Sequence, residues 1–129
     1  MKKDIETRTD IELLVSLFYE RIIADRQIGY LFQRIVEAKG ESHLQTMCDF
    51  FENIILFTGK YEGHPMNLHQ LCHAPTLLTA ADFHHCNELF ICSVDALFFG
   101  DNASMAKQRT INISEIIKNE ILFAQLKYN

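Results

Sequence analysis

Apolar residues recur at helical spacing along nearly the whole chain. Ile11, Leu14, Val15, Phe18 and Ile22 step by three, one, three and four residues, the period of a helix that buries one face. Tyr19 flanks this stripe, and Thr9-Asp10-Ile11-Glu12 predicts a capping box at its start, with the Thr9 hydroxyl taking an orphan amide. A second, short helix is expected to carry Ile28, Leu31, Phe32, Ile35 and Val36. Gly40 would close it, because glycine readily takes the left-handed conformation that ends many helices. Ser42 then restarts the pattern, placing Leu44, Met47, Cys48, Phe51, Ile54 and Ile55 on one side of a third helix that reaches about Gly59.

Regularity breaks at Gly59-Lys60-Tyr61-Glu62-Gly63-His64-Pro65, which holds two Gly and one Pro. Met66 to Cys72 could form two helical turns before Pro75 forces a boundary. Thr79-Ala80-Ala81-Asp82 caps the next helix, with Phe83, Cys86, Phe90, Val94 and Leu97 as its stripe and Gly100-Asp101-Asn102 as its stop. A last helix from about Ala103 turns Ile113, Ile116, Ile117 and Ile121 inward; Thr110 to Ser114 alternates like a strand, but its neighbours keep the helical period. The expected class is all-α: one domain, residues 1–129, of five or six helices packed at angles around one core.

Composition narrows the function classes. With 48% hydrophobic residues, five Gly and two Pro, the 129-residue chain is neither disordered nor collagen-like. Twelve Lys and Arg against seventeen Asp and Glu give a net charge of −5 without a basic run, so no nucleic-acid partner is expected. No apolar stretch approaches the roughly eighteen residues of a membrane span, and Met1-Lys2-Lys3-Asp4-Ile5-Glu6 lacks an apolar signal core. A cytoplasmic protein without membrane insertion is therefore expected. In that compartment Cys48, Cys72, Cys86 and Cys92 read as reduced core thiols, and the absence of Cys-x-x-Cys-His excludes the usual covalent haem attachment.

Six His in a chain without a basic patch is an informative excess, since neutral imidazole is a common ligand of transition metals and of haem iron. His69 follows the Gly/Pro-interrupted loop and lies on an apolar turn with Leu68 and Leu71. Its ring could project between longer helices, as a haem requires: one fixed nitrogen on one side and apolar walls elsewhere. Tyr19 and His43 are the candidates for polar groups opposite it. Each has a plainer reading: His69 as a surface or capping histidine, Tyr19 as a core-edge tyrosine, His43 as a solvated residue in a first helical turn. The trios His69, Cys72, His73 and His84, His85, Cys86 hint at zinc, but neither completes a four-ligand tetrahedral set. His84 and His85 read as solvated and Cys86 as buried. Glu20-Arg21 and Asp25-Arg26 read as charged helix surface.

Between about Asp10 and Tyr128 the chain resembles the truncated haemoglobins, in particular their group III or P-type branch. The resemblance is carried by Leu17-Phe18-Tyr19-Glu20-Arg21, Ile28-Gly29-Tyr30-Leu31-Phe32, and Phe50-Phe51 with Leu56. Its most specific element is Tyr61-Glu62-Gly63-His64-Pro65-Met66-Asn67-Leu68-His69. The resemblance implies a shortened globin with two helices over two, holding noncovalent haem b. It also implies His69 as the proximal iron ligand, with Tyr19 and His43 as the distal residues. Phe18, Phe32, Met47, Phe51 and Ile54 would line the pocket.

One position departs from the family pattern, which usually has a Trp on the helix that here carries Cys86. The chain contains no Trp at all. A missing indole N–H removes one donor and enlarges the pocket. The function implied is binding of dioxygen or another diatomic ligand, with an unidentified reductase as a further partner. Dioxygenase or peroxidase-like turnover would follow from the resemblance alone. The alternatives are a haem-free, globin-like sensor or interaction domain and, third, a zinc-binding helical protein.

Overall fold

A computed structural model describes residues 2–56 and 79–128, apart from the side chains of 31, 32, 34–43, 117 and 120–128. These residues form four α-helices: α1 Arg8–Ala24, α2 Gly29–Leu56, α3 Ala80–Leu97 and α4 Asp101–Tyr128. No strand occurs among them, and Thr110 to Ser114 lies inside α4. Helix α1 packs on α2 and α3, and α4 packs on α3 and α2. Two helical pairs therefore face each other, the expected two-over-two arrangement.

Helix α1 starts two residues earlier than its expected cap at Thr9. Thr7 is the N-cap, and its hydroxyl accepts the Asp10 amide at 3.3 Å. The Asp10 carboxylate answers by accepting the amides of Thr7 and Glu6 at 3.1 and 2.9 Å, and it pairs with Lys3 Nζ at 3.0 Å. Asp10 thus serves three donors at once, more than Glu12 could offer a cap at Thr9. The stripe Ile11, Leu14, Val15, Phe18 and Ile22 is buried as expected, and Tyr19 is buried with it.

The expected stop at Gly40 does not occur: the second and third predicted helices are one, α2. The physical reason is register. Val36, Gly40, Leu44 and Cys48 follow one another at intervals of four, so the apolar face passes straight through the glycine. A helical interior glycine costs only about 1 kcal/mol, less than interrupting a helix whose apolar period runs on through it.

The Thr79 cap on α3 is as expected: its hydroxyl accepts the Asp82 amide at 3.1 Å, and Asp82 accepts the Thr79 amide at 2.9 Å. Along α3, Phe90 and Val94 are fully buried, and Phe83, Cys86 and Leu97 are partly so. On α4, Ile113 is partly buried but Ile116 is exposed, against the expected inward face; Ala103 and Ala106 fill the core instead. The side chains of Ile117 and Ile121 lie outside the described set. Cys48 is a buried thiol as expected, Cys86 is half-buried rather than fully buried, and Cys92 is exposed. Cys92 sits two residues from the buried Phe90 and Val94, and so falls on the opposite side of the helix. Cys72 lies outside the described residues.

The charged N-terminal segment is part of the fold. Ile5 is fully buried, and the Phe99 amide donates to the Lys3 carbonyl at 2.9 Å. Asp4 accepts the amides of Asn102 and Ala103 at 2.9 and 2.8 Å, capping α4 from almost a hundred residues away. The α3–α4 joint turns at Gly100, whose φ of +149° suits glycine, and a Cβ there would lie 2.6 Å from Asp4 Oδ2.

Candidate functional site

Three helices contribute to one aromatic wall. Phe18 of α1 meets Phe90 of α3 edge-on, with ring centroids 5.1 Å apart and planes at 87°. Phe51 of α2 stacks on the same Phe90 at 5.2 Å and 14°. Tyr19 sits beside Phe18 at 5.9 Å and is only 5% exposed. Met47, Cys48, Phe50 and Ile55 join this core, and Leu44, Ile54 and Cys86 pack against it. The helical period explains the grouping: Met47 and Phe51 are one turn apart on α2, and Cys86 and Phe90 one turn apart on α3.

Of the residues expected to form the site, Phe18, Tyr19, Met47, Phe51, Ile54 and Cys86 are therefore in or against one cluster. Phe32 and His43 belong to α2, His43 one turn before Met47, but their side chains are outside the described set. His69 and His73 lie outside the described residues. Phe90, expected from its spacing only as a core position, joins Phe18 to Phe51. Its place one turn after Cys86 was the signal for it.

The second histidine trio separates. His84 is exposed and pairs with Glu88, one turn on, at 2.7 Å. His85, expected to be solvated, instead reaches Asp25 at the end of α1, with Nε2 and Oδ2 2.6 Å apart. Adjacent residues on a helix point about 100° apart, which is why one faces solvent and the other α1. Asp25, expected as surface charge, is correspondingly withdrawn from solvent. Among the described residues, no three His, Cys, Asp or Glu side chains converge as a metal site.

Electrostatics at the edge of the wall are local and paired. Arg8 of α1 spans to α2, donating to Asp49 at 2.5 Å, Glu52 at 3.0 Å and Gln45 at 3.0 Å. Glu52 is buried and needs this partner. Hydrogen bonding to Asp49 raises the Arg8 pKa further, so it is a permanent cation. Burial pushes the neighbouring Cys48 thiol up, against the pull of Arg8, which keeps it a thiol and not a thiolate. Across the molecule, Arg109 of α4 donates to the Ile54 carbonyl at 2.5 Å, fixing the last turns of α2 where Phe51 and Ile54 sit.

Chemically, the cluster is aromatic and aliphatic with one thioether and one buried phenol at its edge, its rings packed on one another. That composition suits one face of a porphyrin, which needs flat apolar contact and few polar groups. No helix among the described residues is long and apolar enough to cross a membrane.

No protein-family model matches the chain, and no curated protein does so at a significant level. Among solved structures, the chain is similar to the crystal structure of a group III truncated haemoglobin from Campylobacter jejuni. The two superpose with a TM-score of 0.76 at 24% sequence identity, over 94% of this chain and 95% of that one. Four helices in a two-over-two arrangement, matched over almost the full length of both chains, give this protein the fold of the truncated haemoglobins.

Proposed function

We propose that the chain is a group III truncated haemoglobin that holds haem b noncovalently through His69 and binds dioxygen or another diatomic ligand. The observation that carries this reading is the buried Tyr19 set into the Phe18, Phe51 and Phe90 wall of a truncated-globin fold. Ferrous haem, when bound, supplies an iron centre that takes up diatomic ligands.

The chain's own residues supply shape and polarity. Phe18, Phe32, Met47, Phe51 and Ile54 would line the pocket and exclude water. Tyr19 would donate a hydrogen bond to the ligand, and His43, one turn before Met47, would gate or assist it. Cys86, with a side chain far smaller than an indole, leaves the adjoining wall roomier and one N–H donor poorer. An unidentified reductase would keep such a protein in its ferrous, ligand-binding form, and a cytoplasmic location fits that supply of electrons.

The test is the visible spectrum of purified protein supplemented with haem. A Soret band is expected in the wild type, and its loss or alteration in His69→Ala, with recovery on adding imidazole, would establish the proximal ligand. No Soret band in the wild type would overturn the assignment and leave the haem-free, globin-like sensor or interaction domain. For the distal side, Tyr19→Phe is expected to release oxygen about tenfold faster, the worth of one well-placed hydrogen bond. An unchanged release rate would remove Tyr19 from ligand binding.

A further inference from the structure

We propose that His85 and Asp25 are a positioning pair which holds α1 against α3 and thereby fixes where Tyr19 stands in the site. The consequence for ligand release rests on the function proposed above; the structural part does not.

Asp25 ends α1, and its carboxylate is engaged on both oxygens. Oδ1 accepts the amides of Gln27 at 2.8 Å and Ile28 at 3.2 Å, while Oδ2 accepts from His85 Nε2 at 2.6 Å. The Asp25 and His85 side chains are 16% and 29% exposed, so the bond is largely shielded from competing water. The His85 bond, ahead of the two amides, holds the Asp25 carboxyl below the usual carboxylate range. The other acidic group facing His85 is Asp82, one turn before it on α3.

The corner that bears Asp25 is stiff. Its carbonyl accepts the Gly29 amide at 3.0 Å, and Ile28 is buried. Gly29 lies so close to the last turn of α1 that a Cβ would come within 2.6 Å of the Ile23 carbonyl oxygen. A second tie joins the same two elements: Gln27 Nε2 donates to Asp82 Oδ1 at 2.9 Å, and Asp82 is the carboxylate of the α3 capping box. Movement of α3 relative to this corner would therefore carry the end of α1 with it.

Elsewhere α1 is anchored to α2 by Arg8, through Gln45, Asp49 and Glu52. Between these two anchors α1 meets α3 through the Phe18–Phe90 ring pair. The ring pair fixes how closely the two helices approach, and the short bond to a doubly anchored carboxylate adds a directional tie at the end of α1. Tyr19 lies six residues before Asp25, about 9 Å along the helix. The residue after His85 is Cys86, which packs against the same core. The pair thus sets the register between the helix bearing the phenol and the helix bearing Cys86 and Phe90.

The experiment is a double-mutant cycle on haem-loaded ferrous protein, read as the oxygen dissociation rate. His85→Ala is expected to release oxygen about threefold faster, a part of the roughly tenfold effect of losing the Tyr19 bond. His85→Gln, which keeps a donor at similar reach, is expected to stay near wild type. In a Tyr19→Phe background His85→Ala should add nothing, since the pair acts through Tyr19. An unchanged rate in His85→Ala, or the same acceleration with and without the Tyr19 hydroxyl, overturns the proposal.

A second measurement needs no haem: the Tyr19 ring signals of tyrosine-labelled protein by NMR. They should shift in His85→Ala and return in His85→Gln, and unmoved signals overturn the pair. Absence of a Soret band would instead sink the haem reading, with the NMR comparison still deciding the pair. If His85→Ala does not fold, Asp25→Asn is read in the same way.

Discussion

Phe90 meets Phe18 edge-on and Phe51 face to face, so one side chain holds three helices together. It is 1% exposed, and removal of its ring would leave a cavity that Phe18 and Phe51 cannot both fill without leaving their own rotamers. Phe90→Ala is expected to destabilise the protein by about 3–5 kcal/mol, measured as the shift in urea unfolding free energy. A loss below about 1 kcal/mol would show that the wall collapses freely and is not a fixed surface. Periodicity alone found the buried stripe of α1, Met47, Cys48, Phe51 and Ile55 on α2, and Phe90 and Val94 on α3, but not the buried Phe50, Glu52 and Ser93. It could not say that Phe18, Phe51 and Phe90 touch, since contact between helices depends on how they cross. The His85–Asp25 bond was illegible for the same reason: the partners are sixty residues apart, and either alone reads as surface charge.

At the scale of elements, the two capping boxes show where local reading succeeds. Thr79 has Asp82 at the spacing a capping box demands, whereas Thr76 has no carboxylate three residues on, and α3 begins after Thr79. Before α1, Thr7 and Thr9 both offer a start, and the choice falls to Thr7 because Asp10 also collects the Glu6 amide and Lys3. Gly40 misled in the opposite direction, since a residue that permits a left-handed stop does not require one. Continuity of α2 has a direct test in amide hydrogen exchange. In one helix, the Leu44 amide donates to the Gly40 carbonyl and should exchange as slowly as amides further along α2. If the chain instead broke at Gly40 and restarted at Ser42, Leu44 would lie in a first turn with no helical acceptor and would exchange fast.

At the scale of the whole molecule, the joints among the described residues are built on carboxylates. Asp4 caps α4 from the N-terminal segment, Asp10 closes the start of α1, Asp25 ties the α1–α2 corner to α3, and Asp82 caps α3. Burial pushes the Asp4, Asp10 and Asp82 carboxyls up, but the amides and side chains they accept from outweigh it. With Asp25, whose largest influence is His85, all four are held below the usual range. In the unfolded chain the same groups protonate near pH 3.9. Between that value and the lowered native ones, the unfolded state binds more protons, so stability rises with pH across this window. The contribution is complete above about pH 4 and is lost as the pH falls through the native values. Unfolding midpoints in urea should therefore respond little to these groups between pH 5 and 7 and drop steeply below pH 4. Asp4→Ala separates this cause from general charge repulsion. At pH 6 it removes the α4 cap and should cost about 1–2 kcal/mol. At pH 3, below the unfolded value, the unfolded chain binds the proton and part of that contribution is gone, so the gap between the two proteins should narrow. A gap of constant size across that range would mean that Asp4 stabilises through packing, with its charge playing no part.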